Sequence, residues 1–446
     1  MVEDFDPVPA KEPAIQGSTS CPLRLRPGTS RLLRRFGTKR GDTADAGGVL
    51  PRRIGIFGLF GVGNLGNDGS LESFLAFLRS ARPDAELHCI CHGTESVRER
   101  FDLPTLPIQP APNWNFWLKV LNRLSLLTLF RAQEWGRTIR GARGFDIVLV
   151  PGTGILDDFG ERWHDMPYNL FRWGAACRLV GTPFVFVSIG AGPIHHPLSR
   201  WLMRSAAAMA YYRSYRDMNS KNYMEGIGLK RPDDPVTPDL AFRLLLPPSA
   251  PSSATGQRII GVGTMGYAGW KHSQADGKAI YGTYTAKMTQ FVSWLIEQGY
   301  GVRLIMGDDG DIQAMKDISR AVSEQPGNQA AHLIVEPAQS LAEIMRQIGE
   351  TELLVASRFH NVVCGLMMGK PVISLSYAKK NDVLLDEMGL RDFCQHIEFL
   401  DLNRLKAQFG RLIRDGEHYL PGIAQKNAEY REQLAEQEKH LLAKLL

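Results

Sequence analysis

Short apolar runs alternate with longer amphipathic segments along most of the chain, and this alternation predicts β-strands separated by α-helices. In the first half, strands are expected at 54–57, 85–91, 146–150, 183–189 and 210–215, with helices at 70–80, 168–180 and 198–208. In the second half, strands are expected at 259–262, 301–306, 332–335, 352–356 and 371–376, with helices at 284–298, 311–324, 340–349 and 360–368. Strands that alternate with helices favour parallel sheets covered on both faces. The predicted fold class is α/β, with two doubly wound, Rossmann-like domains facing a cleft.

Breaks in this pattern set the expected domain boundaries. Residues 246–256 are rich in proline and serine and predict a linker. The tail carries seven basic and no acidic residues over 24–40, and it is either a solvated extension or a contact for an anionic partner. The expected division is a disordered basic tail at 1–50, an N-terminal α/β domain at 51–245, a C-terminal α/β domain at 257–420 and a C-terminal helix at 421–446.

One segment, 114–140, departs from the α/β rhythm and mixes aromatic residues, leucines and arginines in an amphipathic pattern. Such a segment is either a packed helix with a basic face in water or a helix that lies on a lipid surface. No apolar run reaches the roughly 18 residues that a membrane span needs. We therefore expect no transmembrane helix, and peripheral membrane contact is the open alternative.

Composition narrows the possible functions. The 446 residues are 44% hydrophobic and 22% charged, which is typical of a soluble globular protein. The N-terminus lacks the apolar core of a secretory signal, so we expect a cytoplasmic protein. A net charge of +5 is too mild to indicate nucleic-acid binding but suits anionic ligands. The six cysteines show no metal-ligand spacing, so reduced cysteines and no metal site are expected.

A glycine-rich turn at 61–66 matches the GxGxxG pattern of dinucleotide-binding sites. Such sites also need an acidic residue at the end of the second strand, and 87–93 contains none, so no dinucleotide cofactor is expected. The turn either permits a tight strand-to-helix connection or binds an anion or a sugar hydroxyl at the helix N-terminus. Its candidate contacts are Gly63, Asn64, Gly66 and Asp68. Glycine turns at 151–154 and 190–192 are expected to open into the same crevice.

Basic residues end two of the predicted strands. Arg216 follows the strand at 210–215 and either forms a surface salt bridge or clamps a carboxylate or phosphate, because a guanidinium can grip such groups at two points. Arg358 and His360 follow the strand at 352–356 at the start of a helix, where they can hold an anion and exchange a proton. Two serines beside these residues, Ser220 and Ser357, are further candidate contacts.

Taken in order, these motifs resemble the polysaccharide pyruvyl transferase family. The resemblance rests on the glycine turn at 58–69, the Arg-Asp-x-x-Ser segment at 216–220, Pro238-Asp239, the run at 357–360, and 376–380 ahead of 384–390. It covers roughly residues 53–391. Family members usually carry Asp and then Glu where this chain has Asn67 and Asp68, and this departure affects the part of the turn expected to face the acceptor.

The resemblance implies a fold similar to GT-B glycosyltransferases, with phosphoenolpyruvate as co-substrate and no other cofactor or metal. It implies that Arg216 and Arg358 bind the donor's phosphate and carboxylate, that His360 acts as acid and base, and that Lys380 adds positive charge. The C-terminal domain would then hold the donor, and the N-terminal domain with its glycine turn would face the acceptor. The implied product is a pyruvate ketal on a sugar of an exopolysaccharide or lipid-linked glycan, formed with release of phosphate.

Two other functions remain open from the sequence. A nucleotide-sugar glycosyltransferase can use the same architecture, because a fold does not fix a function. It would need an acidic ribose contact in the second domain, for which Glu336 is the candidate. A non-catalytic scaffold of a glycan-assembly complex, recruited through the basic tail and the segment 114–140, is the other alternative.

Overall fold

A computed structural model describes residues 52–109, 128–248, 257–269, 276–326 and 329–446. The first half forms a parallel sheet in the order β3-β2-β1-β4-β5-β6. Its strands are β1 (Arg53–Phe57), β2 (Glu86–Cys91), β3 (Thr105–Pro107), β4 (Ile147–Pro151), β5 (Phe184–Ile189) and β6 (Tyr212–Tyr215). The second half forms a parallel sheet in the order β12-β11-β10-β7-β8-β9. Its strands are β7 (Ile259–Gly263), β8 (Gly301–Ile305), β9 (Leu333–Val335), β10 (Leu353–Ala356), β11 (Val372–Ser376) and β12 (Cys394–His396).

Helices connect these strands. Those of the first half are α1 (Leu65–Ala81), α2 (Thr94–Phe101), α3 (Thr128–Arg143), α4 (Met166–Val180), α5 (Pro197–Met209) and α6 (Met218–Gly226). Those of the second half are α7 (Gly277–Glu297), α8 (Ile312–Ser323), α9 (Leu341–Gly349), α10 (Phe359–Met367), α11 (Lys379–Glu387) and α12 (Leu402–Lys444). The regular alternation confirms the predicted α/β class.

Both halves have the same winding. In each sheet the chain runs outward on one side of its first strand and then returns to build the other side, so the strand order reverses between β1 and β4 and again between β7 and β10. Ligands of doubly wound sheets bind in the crevice at such reversal points, outside the carboxyl ends of the strands. The two sheets belong to one compact unit, and the domain boundaries drawn from the sequence stay a prediction.

The central strands are long apolar runs because helices cover both faces of a parallel sheet. Every residue of β4, β5 and β11 is buried. The edge strands β3 and β12, three residues each and only partly buried, have no apolar run and were not predicted. The last helix begins at Leu402, earlier than the expected start at 421, and it continues through Pro421.

Helix α12 returns to the first half, and one of its glutamines anchors it there. The Oε1 atom of Gln437 accepts hydrogen bonds of 2.6 Å from the hydroxyls of Ser214 and Thr237, and its Nε2 donates to the hydroxyl of Ser188 at 2.9 Å. All four side chains are buried, or nearly so. Helix α12 therefore ties the end of the chain to strands β5 and β6 of the first sheet.

We expect Gln437→Leu to lower the free energy of unfolding by about 2–4 kcal/mol, because three buried hydroxyls lose their partner and unpaired buried polar groups cost about 1–3 kcal/mol each, with some relief from re-pairing. Urea denaturation measures the loss. The matched control is Gln433→Leu, one turn earlier on the same helix, where no such network exists in the described part of the chain. Equal losses in the two variants would contradict the anchoring role.

Within the described ranges, no helix is both long and apolar enough to cross a membrane. Two segments with sequence-based predictions, the tail at 1–50 and residues 110–127 of the amphipathic segment, lie outside the described residues. The five cysteines that the structure describes are all free, as expected from their spacing.

Candidate active site

Two adjoining cavities lie where the carboxyl ends of the strands of both sheets meet. The smaller, of about 60 Å³, is lined by Asn64, Asn67, Gly154, Arg216, Gly307, Arg358, Phe359, His360, Asn361, Tyr377 and Lys380. The larger, of about 170 Å³, extends towards α11 and α12. Three residues, Arg216, Phe359 and Lys380, line both. The smaller cavity thus collects Arg216 from the first half and Arg358, His360 and Lys380 from the second.

His360 lies in the first turn of α10 and projects across to the first half. Its side chain is 13% exposed, and its Nε2 atom lies 3.7 Å from Oδ1 of Asp239. The imidazole rests on Gly66 of α1, where a methyl carbon in place of the glycine hydrogen would overlap with Nδ1. Position 66 therefore needs glycine because the ring approaches the helix backbone. The glycine turn, which was predicted to face the acceptor, is in contact with the histidine.

Asp239 joins the histidine to an arginine. Its Oδ2 lies 3.3 Å from Nη1 of Arg216, and its Oδ1 accepts a hydrogen bond from the backbone N–H of Ala241 at 3.0 Å. Burial by itself raises the pKa of Asp239, but the nearby charges of His360 and Arg216 outweigh it and hold that pKa well below its ordinary value. The carboxylate of Asp239 is therefore ionised.

Arg216 is enclosed by groups that fix its orientation. Its Nε lies 3.4 Å from Oδ2 of Asp217, and its guanidinium carbon lies 4.4 Å from the ring centroid of Phe359. On its other side it contacts Gly190, where a methyl carbon would overlap with the guanidinium. Burial works to lower the pKa of Arg216, but the carboxylates of Asp239 and Asp217 raise it. Arg216 is a fixed, permanently charged group.

Arg358 forms a two-point ion pair. Its Nη2 and Nε atoms donate to the carboxylate of Asp311 at 2.6 and 2.9 Å, and Asp308 lies 3.8 Å away. Lys380 differs, because its Nζ lies 4.8 Å from the ring centroid of Tyr377 and the described residues place no carboxylate within ion-pair distance of it. Lys380 is therefore the cation of the cavities whose charge is least neutralised.

Several predicted contacts lie outside the cavities. Asp68 is 1% exposed; it accepts from the backbone N–H of Gly61 at 2.8 Å and pairs with Arg100. Ser220 is buried and accepts from the backbone N–H of Ala191, while Ser357 is buried at the end of β10. Asp68 and Ser220 thus form local hydrogen bonds, and a substrate contact at any of these three side chains stays a prediction.

The other members of the glycine turn lie at the junction of the halves. The carbonyl of Gly63 accepts from the backbone N–H of Asp309 at 3.0 Å, so this glycine joins the two halves and does not line a cavity. Asn64 caps α1 by accepting from the N–H of Asn67 at 3.1 Å, and it also lines the smaller cavity. Of the four predicted contacts in the turn, Asn64 reaches the cavity and Gly66 supports the histidine.

Asp157 is an acidic residue of the site that sequence reasoning missed. It follows the glycine turn after β4, close to Gly154 of the cavity wall, and it accepts from the N–H of Phe159 at 3.1 Å. Burial raises the pKa of Asp157 to about 6, against the opposing charges of Lys380 and Arg216. An acid directly after a glycine turn at a strand end was the available signal.

We expect Asp157→Asn to change how stability depends on pH. A carboxyl whose pKa is higher in the folded than in the unfolded chain binds more protons when folded, so it costs stability as the pH rises from about 3.8 to about 6. The variant lacks this cost, so its stability relative to the wild type increases over that interval. Urea denaturation along a pH series checks this, and a constant difference would contradict it.

The fold is similar to the two-domain GT-B fold of several solved sugar enzymes. The S. aureus MnaA–UDP structure superposes with a TM-score of 0.54 at 12% identity, covering 83% of this chain and 90% of that one. The UDP-GlcNAc 2-epimerase from Neisseria meningitidis bound to UDP-GlcNAc gives 0.51 at 11% identity, covering 86% and 99%. The UDP-GlcNAc 2-epimerase from Methanocaldococcus jannaschii gives 0.51 at 10% identity, covering 80% and 92%. At these identities the likeness concerns the fold.

The sequence itself identifies the family. The polysaccharide pyruvyl transferase family matches residues 64–379, and the chain belongs to this family. The matched region begins at Asn64 in the glycine turn and contains Arg216, Arg358 and His360. No curated protein matches the chain.

Proposed function

We propose that the protein transfers the pyruvyl group of phosphoenolpyruvate to a pair of hydroxyls on a sugar, forming a cyclic ketal and releasing phosphate. The observation that carries this proposal is the convergence of Arg216, Arg358, Lys380 and His360 on one small cavity. Phosphoenolpyruvate carries a phosphate and a carboxylate, and charge-assisted hydrogen bonds from guanidinium and ammonium groups recognise both. The proposal needs no metal or further cofactor.

The cations have different parts in this reaction. Carboxylates hold Arg216 and Arg358 in fixed orientations. The N–H groups that do not bond to these carboxylates therefore point in a fixed direction and are available to a ligand. Lys380 has no carboxylate of the described residues within ion-pair distance, and it lines both cavities. Fixed dipoles and charges of this kind stabilise developing negative charge without reorganisation. We assign the departing phosphate to Lys380 and one arginine.

His360 is the proposed acid and base. The imidazolium donates its proton to the methylene carbon of phosphoenolpyruvate, which makes the adjacent carbon electrophilic. One acceptor hydroxyl adds to that carbon, the C–O bond to phosphate breaks, and the second hydroxyl closes the ketal. The two hydroxyl protons leave to the imidazole and the phosphate. Oδ1 of Asp239 lies 3.7 Å from Nε2 of this imidazole.

A direct assay tests the proposal. The purified protein is incubated with a lipid-linked or exopolysaccharide acceptor together with either phosphoenolpyruvate or a UDP-sugar. We expect phosphate release and a mass gain of one pyruvate ketal with phosphoenolpyruvate, and no release of UDP from the UDP-sugar. Release of UDP without phosphate would overturn the proposal in favour of a glycosyltransferase.

A nucleotide-sugar enzyme is the second candidate because the structural neighbours include complexes with UDP and UDP-GlcNAc. The position of Glu336, the acidic residue suggested for ribose binding, argues against a nucleotide-sugar enzyme. Glu336, half-exposed at the end of β9, pairs with Arg303 at 2.7 Å and Arg346 at 3.2 Å and does not line either cavity. A scaffold without activity stays the third reading, and loss of glycan pyruvylation in cells carrying His360→Ala would argue against it.

The proposed acceptor is a sugar of an exopolysaccharide repeat or a lipid-linked glycan at the cytoplasmic face of the membrane. Contact with that face through the segment 114–140 stays a prediction, since 110–127 lies outside the described residues. Cells expressing the tagged protein can be separated into membrane and soluble fractions to test the location.

A further inference from the structure

Three neighbouring helices of the first half carry almost only positive charges. Helices α3, α4 and α5 pack side by side, as the three right-handed crossovers from β3 to β6 require. Together they contain eight arginines and a single acidic residue, Glu134. Glu134 is buried and pairs with Arg172 at 2.7 Å and Arg131 at 2.8 Å. These three helices therefore carry no acidic residue at their surface.

The remaining six arginines lack carboxylate partners. They are Arg137, Arg140, Arg143, Arg178, Arg200 and Arg204, and the described part of the chain places no carboxylate within 4 Å of any of them. Their side chains are exposed or half-exposed. The opposite face of the same sheet differs, because α1 there packs against α9 and α10 of the second half. The arginine-rich layer thus faces away from the second half.

Apolar side chains are exposed on the same layer. Leu179 of α4 is 65% exposed, and Trp201 of α5 is 49% exposed with its ring centroid 5.3 Å from that of Phe171. Leu198 is also exposed beside Trp201. Trp201 and Leu198 lie in the first turns of α5, hence at the edge of the sheet that carries the cavities. Tryptophan is enriched at membrane interfaces because its ring is apolar and its N–H is polar. Arginine is favoured there because its stem packs on apolar groups while its charge stays in water.

We propose that the outer face of α3, α4 and α5 docks on a bilayer of anionic phospholipids. The charge complementarity is direct, because these six arginines have no carboxylate partner among the described residues and their helices carry no exposed acidic residue that would repel phosphate headgroups. Each arginine near an anionic surface strengthens binding about fivefold, and exposed apolar groups add a component that salt does not screen. This surface is separate from the cavities, so the inference does not depend on the proposed reaction.

Flotation of the full-length chain with vesicles tests this surface. Vesicles of phosphatidylcholine with and without phosphatidylglycerol are compared for the wild type and for R140Q/R178Q/R204Q, which removes one arginine from each helix. We expect the wild type to bind the anionic vesicles preferentially and the triple variant to bind them about a hundredfold more weakly. Unchanged melting temperatures ensure that folding is not the cause. Equal binding by the triple variant and the wild type overturns the proposal.

Two control variants have the same loss of charge. K278Q/K316Q/R320Q removes three exposed cations from α7 and α8, and R34Q/R35Q/K39Q removes three from the basic tail. We expect both to bind within a fewfold of the wild type. If the tail variant alone loses binding, the tail is the anchor and the face is not. If wild-type protein ignores anionic vesicles and instead binds nucleic acid or its own copies through this face, the lipid assignment is wrong.

Discussion

Replacing His360 by alanine is expected to lower phosphate release from phosphoenolpyruvate by about 10²–10⁴-fold, the usual contribution of an acid/base group. The imidazole is the titratable group of the smaller cavity that reaches across both halves, resting on Gly66 and facing Asp239. In the proposed mechanism the variant lacks the acid that protonates the methylene carbon of phosphoenolpyruvate. Phosphate release under saturating acceptor, followed near neutral pH, measures the loss.

Three further variants make this result specific. His360→Gln retains size and polarity, so it is expected to bind phosphoenolpyruvate but to be as slow as the alanine variant. His418→Ala, at an exposed histidine of α12, is the matched control and is expected to keep full activity. In Gly66→Ala the added methyl group overlaps with Nδ1, so the imidazole must move, and the rate should fall although residue 360 is still histidine. Retention of the wild-type rate by His360→Gln would show that the proton comes from another group.

The largest effect on stability is expected for Arg216→Met. Its guanidinium is buried between Asp239 and Asp217, and removing one partner of a buried ion pair costs about 3–5 kcal/mol because the other charge is left uncompensated. Urea denaturation near neutral pH measures the difference. A loss below about 1 kcal/mol would place the pair in an environment close to water.

A double variant and a pH series distinguish the cost of the uncompensated charge from the cost of lost packing. Arg216→Met combined with Asp239→Asn removes the uncompensated charge and should recover part of the stability, as a double-mutant cycle measures. In the wild type the lowered pKa of Asp239 means that its contribution is present above its ordinary value of 3.8 and is lost as the pH falls through the lower folded value. The gap between the variant and the wild type should therefore narrow as the pH falls below 3.8.

The central strands could be predicted because burial on both faces leaves a continuous apolar run. Strand β4, Ile-Val-Leu-Val-Pro, has no exposed residue and was located within one residue of its true bounds. The edge strand β12, Cys-Gln-His, could not be found this way, since its pairing with β11 and not its composition makes it a strand. The predicted start of the last helix at 421 was also wrong. Helix α12 begins at Leu402 and continues through Pro421, because its packing against both halves outweighs the low helix propensity of proline.

The cations of the candidate site could be predicted because they follow strands. Parallel strands end at one edge of their sheet, so Arg216, Arg358 and His360 had to approach that edge wherever the helices lay. Their acidic partners could not be predicted. Arg358 and Asp311 are 47 residues apart, and Arg216 and Asp239 are 23 apart. Neither separation corresponds to a local pattern, so only the folded chain identifies the pairs.

The sequence by itself determined two α/β halves and the residues at their strand ends, because apolar periodicity and the βα rhythm are local properties. The tertiary structure decided what those residues meet. Docking of the halves brought His360 onto Gly66 and Asp239. Folding of the second half paired Arg358 with Asp311, and Lys380 was left without a carboxylate partner among the described residues. These contacts join residues distant in sequence, and their energies depend on burial and on the order of the strands, which no short segment encodes.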